Sequence, residues 1–320
     1  MRAAVVVGPG RATVTRASLP EPGPGEVRVR LEGCGVCAST VPLWAGRPWF
    51  RYPGEPGAPG HEGWGEVDAV GPAVDGVRVG SRVAFVSGRA FAEYDLAPAA
   101  GVVPIPPALH GTPFPGEAFG CAFNAFRRAR IRAGQTVAIV GIGFLGAVLT
   151  RLAAHVGARV IAVSRRPFAR ELAAGLGAAE VVAFDALADA AARIAALTDG
   201  TGCQRVVEAV GTQEALDLAT AATAERGRLV IAGYHQDGPR QVDLQTWNWR
   251  GLDVINAHER APRAYARGIQ DAMRAVTRGI LEPRAFLTHR FSLDRLGDAF
   301  DLVVARPPGF LKAWIAVRAS

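Results

Sequence analysis

Six residues, Gly141-Ile142-Gly143-Phe144-Leu145-Gly146, follow directly on the apolar run Val137-Ala138-Ile139-Val140. Glycines at the first, third and sixth places permit a tight bend, close approach of backbone to a pyrophosphate, and close packing of the next helix on the strand. The helix that starts there offers unsatisfied N–H groups and the positive end of its dipole, which suits phosphate. GxGxxG alone is a weak signal. A buried strand before it, a helix after it and a second strand at Arg159–Val163 give it the context of a dinucleotide-binding turn. A second group lies earlier in the chain, where Cys37 ends Gly35-Val36-Cys37 and His61 sits in Gly60-His61-Glu62-Gly63-Trp64-Gly65. Thiolate and imidazole are both good zinc ligands, and a catalytic zinc needs a third protein ligand plus one open position. Neither residue says much by itself, since a lone cysteine is usually core.

The end of the second strand decides which dinucleotide is expected. An NAD site places Asp or Glu there, about 20 residues after the glycines, to bind the ribose 2′-hydroxyl. This chain has Ser164-Arg165-Arg166-Pro167. No carboxylate repels a 2′-phosphate, and two guanidiniums can grip one through charge-assisted forks. NADP(H) is the expected coenzyme, preferred over NAD(H).

The elements that must hold these residues change character along the chain. The first hundred residues read as short strands (Ala3–Val7, Glu26–Leu31, Gly65–Val70, Arg82–Val86) broken by Pro- and Gly-rich turns, an all-β region forming a partly open barrel. Glu117–Arg130 is compatible with a helix. From Thr136–Val140 onward, apolar strands alternate with helices, the pattern of a parallel sheet covered on both faces. A helix at Ala264–Arg278 precedes a return to β structure at Phe291 and Ala313–Val317.

Composition narrows the function classes. With 320 residues, 49% of them hydrophobic and 20% charged, the chain is neither disordered nor too small for two cored domains. The net charge of +7 invites a nucleic-acid reading. The basic residues are arginines apart from Lys312, are scattered, and form no run beyond the pairs Arg127-Arg128 and Arg165-Arg166, so a nucleic-acid partner is not expected. Four cysteines are too few for a disulfide scaffold, and the most apolar stretch, Val137 to Leu149, is too short to span a bilayer. The expectation is a cytoplasmic protein that contacts no membrane.

Taken together, Gly35–Ser39, Gly60–Gly65 with Gly71 and Val74 downstream, Phe91-Ala92-Glu93-Tyr94 and Phe310-Leu311-Lys312 resemble the zinc-dependent medium-chain dehydrogenase/reductase family of alcohol and polyol dehydrogenases. The resemblance covers nearly the whole chain. It implies an α/β fold: an N-terminal GroES-like, partly open β-barrel catalytic domain (1–122, completed by 289–320) and a Rossmann doubly wound parallel sheet (123–288). It implies one catalytic zinc held by Cys37, His61 and Glu117, the last lying 24 residues before Gly141, where Cys121 at 20 fits less well. Glu62 would be a fourth, exchangeable ligand or stand behind the ligands. Ser39 matches the hydroxyl that passes a proton to or from the substrate oxygen. Gly141, Gly143, Phe144, Leu145, Gly146, Ser164, Arg165, Arg166, Val210, Gly211, Gly233 and Lys312 would contact the coenzyme, Lys312 at its phosphates.

The chain also departs from that family's pattern. It lacks the four close cysteines of a structural zinc after Val86, Thr40 stands in place of an Asp that orients the histidine, and Pro42 in place of a relay histidine. Cys34 has no family role and reads as core, with a Cys34–Cys37 ligand pair as the lesser reading. Trp44, Trp49, Phe50 and Trp64 flank the ligand segments and read as either pocket wall or ordinary packing. The family forms dimers and tetramers, so a homodimer or homotetramer is expected, with an apolar edge strand near Val254. The expected activity is interconversion of an alcohol, polyol or cyclitol with its aldehyde or ketone by hydride transfer to or from NADP(H). A zinc-free quinone or enoyl reductase is the alternative, and a non-catalytic dinucleotide- or nucleic-acid-binding protein ranks below it.

Overall fold

The computed structural model describes residues 1–317; the last three residues of the expected catalytic domain lie outside the described residues. The chain opens with strands β1 (Arg2–Gly8), β2 (Arg11–Arg16) and β3 (Glu26–Val36), then the one-turn helix α1 (Val41–Trp44). Four strands follow: β4 (Glu62–Val70), β5 (Arg82–Phe85), β6 (Tyr94–Pro98) and β7 (Val102–Pro104). Helix α2 (Gly116–Ala129) leads to β8 (Thr136–Val140), α3 (Phe144–His155), β9 (Arg159–Ser164), α4 (Pro167–Gly175) and β10 (Glu180–Ala183). Alternation continues through α5 (Leu187–Leu197), β11 (Cys203–Glu208), α6 (Gln213–Ala222), β12 (Thr223–Ile231), α7 (Leu244–Trp249) and β13 (Asp253–Asn256). The last elements are α8 (Pro262–Thr277), α9 (Pro283–Phe286), β14 (His289–Ser292), α10 (Leu296–Ala305) and β15 (Ala313–Ala316).

These elements form two compact units, Met1–Gly120 with Arg260–Ser320, and Cys121–Glu259. In the first, β3 is the organising strand. Val27, Val29 and Leu31 alternate inward, so one face builds the core while Arg28 and Arg30 pair with Asp68 and Glu66 on the other. The strand pairs with β4, β6 and β15, and its register shifts between Leu31 and Gly33. A side chain at Gly33 would meet the Trp64 ring at 2.4 Å and the Ile315 carbonyl at 2.8 Å, so glycine is required for that close crossing. Such curling is what closes a sheet toward a barrel.

The second unit is a six-stranded parallel sheet in the order β10-β9-β8-β11-β12-β13. Its central strands are buried on both faces, as the apolar runs require. The α/β architecture, GroES-like β region plus Rossmann sheet, is the one expected. The division differs in one respect: residues 260–288, read from sequence with the nucleotide-binding domain, pack with the first unit. The buried face of α8, Gly268, Ile269, Ala272 and Met273, lies against β5 and β7, and Gly116 and Gly120 make room for Ile269. No helix among the described residues is long and apolar enough to cross a membrane.

Candidate functional site

Cys37 follows β3 directly and caps a single 3-10 turn, Ala38–Thr40. The Thr40 N–H (3.1 Å) and hydroxyl (2.6 Å) both donate to the Cys37 carbonyl, which fixes the backbone at the thiol. Thr40 thus braces the cysteine. His61 enters from a loop pressed against residues 90 and 91, where a side chain at Gly60 would come within 2.5 Å of the Phe91 nitrogen. The His61 Nδ1–H donates to the Pro59 carbonyl at 2.9 Å, leaving Nε2 to face the cluster. A backbone carbonyl therefore does the orienting that an Asp at position 40 was expected to do. Glu62 is the first residue of β4 and stands opposite Gly35 in register. Its Oε2 lies where a Cβ on residue 35 would be, 1.8 Å away, so glycine at 35 makes the space for the carboxylate.

The Cys37 sulfur, a His61 ring nitrogen and a Glu62 oxygen all lie within 4.8 Å of one another. Burial pulls the His61 pKa down, but the Cys37 hydrogen bond and the charges of Cys37, Glu117 and Glu62 outweigh it and push it up to about 10. The buried Lys312 ammonium donates to Glu62 Oε1 at 2.8 Å. Burial disfavours its charge too, yet Glu62, Cys37 and Glu117 raise its pKa above the ordinary lysine value. Cys37, Glu62 and Glu117 thus act together on both His61 and Lys312. Lys312 Nζ lies 2.7 Å from Glu62 Oε2 without the angle of a hydrogen bond, so that buried oxygen keeps its lone pairs. Sulfur, imidazole and carboxylate donors this close together fit a divalent zinc ion, which would displace the proton from the imidazole.

The cluster does not contain all four of the expected ligands. Glu62 lies inside the three-residue cluster and Glu117 outside it. Glu117, buried in the first turn of α2, still acts on His61 and Lys312 by charge. Lys312 is a plain correction: expected at coenzyme phosphates, it is buried on Glu62 behind the cluster. The reason is physical, because an ammonium with 5% side-chain exposure must keep a carboxylate beside it. The signal was present in the sequence only as a lone lysine among arginines. Ser39 is half-buried and its hydroxyl has no hydrogen-bond partner among the described residues. Cys34 belongs to the core; burial holds its thiol well above the usual range, and it donates to Gly35 O. Trp44 stacks on Phe300 and bonds Asp301, and Trp64 packs on Trp314, so both are structural. Trp49 is exposed beside Phe50.

In the second unit the glycine-rich turn joins β8 to α3. Gly141 has φ +98° and its N–H bonds the Val163 carbonyl at 2.9 Å. A Cβ on Gly146 would fall 1.9 Å from the Gly141 carbonyl, so α3 can approach β8 only with glycine there. No atom lies within 4 Å of where a Gly143 side chain would be, and Gly143 supplies no side-chain cap to α3. Ser164 ends β9. Arg166 donates to the Ile142 carbonyl at 2.9 Å, tying the basic pair to the turn. Arg165 is drawn to Glu214 and the Phe184 carbonyl, so part of its charge is already answered. Val210 packs on Gly141, close enough that a side chain there would clash at 2.3 Å.

Comparison with known proteins bears on both sites. The alcohol dehydrogenase GroES-like domain matches residues 23–107, and the zinc-binding dehydrogenase domain matches residues 145–274. Alcohol dehydrogenase notN of Aspergillus sp. (strain MF297-2) is 30% identical, across 92% of this chain and 91% of its own. Sorbitol dehydrogenase of Bacillus subtilis (strain 168) is 25% identical, across 94% and 93%. Among solved structures, a protein of Sinorhizobium meliloti 1021 assigned as a zinc-binding dehydrogenase and bound to NADP superposes with TM-score 0.82, at 26% identity over 98% of each chain. A mycobacterial quinone oxidoreductase reaches 0.83, at 26% identity over 99% of each.

Proposed function

Since the chain belongs to the medium-chain dehydrogenase/reductase family and is an oxidoreductase, we propose that it interconverts an alcohol or polyol with its aldehyde or ketone, using zinc and NADP(H). The observation that carries this reading is the Cys37–His61–Glu62 cluster, whose donor atoms lie within 4.8 Å of one another. A reductase working without metal would have no use for it, which sets the quinone oxidoreductase likeness second. Zinc held by these three, with Glu117 nearby, would act as a Lewis acid toward a substrate oxygen, an effect of several kcal/mol in such sites.

The chain's own residues have separable tasks. Pro59 holds His61 in the tautomer that can bind a metal. Lys312 holds the Glu62 carboxyl in place. Ser39, with an uncommitted hydroxyl two residues from Cys37, gives a proton to the substrate oxygen or takes it away. Gly141, Gly143, Phe144, Leu145 and Gly146 receive the pyrophosphate at the start of α3. Ser164, Arg165 and Arg166 admit the 2′-phosphate. Val210, Gly211 and Gly233 meet the nicotinamide half at the carboxyl ends of β11 and β12, beside the switch in strand order between β8 and β11.

The test is elemental analysis of the purified protein, followed by turnover of aldehydes, polyols and cyclitols with NADPH, NADP, NADH and NAD. About one zinc per chain and faster turnover with the phosphorylated coenzymes are expected. A metal-free protein that reduces quinones would replace this reading with the other.

A further inference from the structure

One buried network in the nucleotide-binding unit has no part in the chemistry described so far. Glu208, the last residue of β11, has no solvent exposure. Its Oε1 accepts the N–H groups of Val210 and Gly211, both at 2.7 Å. Its Oε2 lies 3.0 Å from His235 Nε2. His235 Nδ1 in turn lies 3.0 Å from Arg240 Nε, which can only donate. The imidazole therefore has its proton on Nε2, donates to Glu208, and accepts from Arg240. Arg240 then reaches forward to the Gly211 carbonyl at 2.9 Å and is held from behind by Asp237.

Both backbone groups of Gly211 are thus gripped by one chain of side chains, its N–H by Glu208 and its C=O by Arg240. The position needs gripping, for Gly211 has φ +91° and packs so closely on residue 234 that a side chain would meet the Tyr234 carbonyl at 2.7 Å. Gly233 is equally constrained, a Cβ there lying 2.3 Å from the Gly211 nitrogen and 2.6 Å from Glu208 Oε2. The Glu208 carbonyl accepts from Ala232 and Gly233, both at 2.8 Å, which joins the ends of β11 and β12. The Val210 side chain between these anchors rests on Gly141, the first glycine of the phosphate turn.

We propose that His235 and Arg240 are positioning residues for the coenzyme: through Glu208 they hold the 209–211 turn and the 232–234 turn in the shape that receives the nicotinamide half of the dinucleotide. This rests on the dinucleotide reading above. His235 acts as a two-sided connector, needing a donor on one side and an acceptor on the other. Leucine at that position removes both, whereas glutamine offers an amide N–H to Glu208 and a carbonyl oxygen to Arg240.

The test is fluorescence titration of wild type, His235→Leu and His235→Gln with NADPH and with 2′-phospho-ADP-ribose, which lacks only the nicotinamide. His235→Leu is expected to weaken NADPH about tenfold, as for loss of a buried charge-assisted hydrogen bond. The nicotinamide-free ligand should bind all three proteins alike, and His235→Gln should return NADPH affinity to within about threefold of wild type. Equal weakening of both ligands by His235→Leu, or no weakening of either, would overturn the inference. Wild type that binds no NADPH, NADH or phospho-ADP-ribose would instead overturn the dinucleotide reading itself.

Discussion

In the β-rich unit, Cys37, His61 and Glu62 meet because β3 and β4 run antiparallel and Gly35 opposite Glu62 leaves room for a carboxylate. In the nucleotide-binding unit, Gly141 to Gly146 take shape mainly within one strand-turn-helix segment, where α3 crosses β8 at Gly146. The first site is made of side chains close enough to act on one another electrostatically. The second is made of backbone groups whose direction is set by three glycines. A site of coupled charges should fail abruptly when one member is removed, and a backbone site should respond in small, graded steps.

The largest effect should therefore come from the cluster. Cys37→Ala is expected to cut turnover at least about a thousandfold, the scale of losing Lewis-acid stabilisation, while NADPH affinity measured by fluorescence stays within about twofold. Comparable turnover in the variant would break the contrast between the units. Next in size is Lys312→Met, which leaves Glu62 buried without its ammonium; urea unfolding of metal-free protein should show a loss of about 3–5 kcal/mol. Adding Glu62→Gln to that variant should recover part of the loss, and a single-variant loss under about 1 kcal/mol would show that the pair is not coupled as described.

Smaller effects belong to the nucleotide-binding unit. Ser164→Asp places a carboxylate at the end of β9 beside Arg165 and Arg166, and should shift the ratio of NADPH to NADH affinity about tenfold or more toward NADH. An unchanged ratio would mean that the 2′-phosphate is read elsewhere. Smallest is a pH effect. Burial raises the Cys203 thiol to about 12, with Arg159 opposing slightly. A folded-state pKa above the unfolded value of 9.0 means the native chain keeps a proton that the unfolded chain gives up. The stability it contributes is whole below pH 9 and is lost as pH rises toward 12. Cys203→Ala should flatten that alkaline decline by up to about 1.4 kcal/mol per pH unit, read from unfolding at several pH values; identical slopes would contradict the assignment.

The same contrast explains what the sequence disclosed. The phosphate turn was legible because its physics is local: strand, three glycines and helix lie within a dozen residues. Cys37 and His61 were legible as ligand types. The rank of Glu62 over Glu117 was not, since it depends on the register that sets Glu62 against Gly35. The Lys312 contact with Glu62 spans 250 residues and leaves no trace in spacing. Likewise α8 shows a clear apolar face in sequence, but nothing in that face says whether β5 and β7 or the parallel sheet will cover it. The Glu208–His235–Arg240 chain leaves no trace in spacing either, because its members meet only where the ends of β11 and β12 come together.

Zinc K-edge X-ray absorption on the purified protein tests the central claim most directly. The account predicts one sulfur at about 2.3 Å and lighter donors at about 2.0–2.2 Å, with the sulfur lost in Cys37→Ala. Bound zinc surrounded only by light donors in the unaltered protein, or a sulfur shell that survives Cys37→Ala, would contradict it.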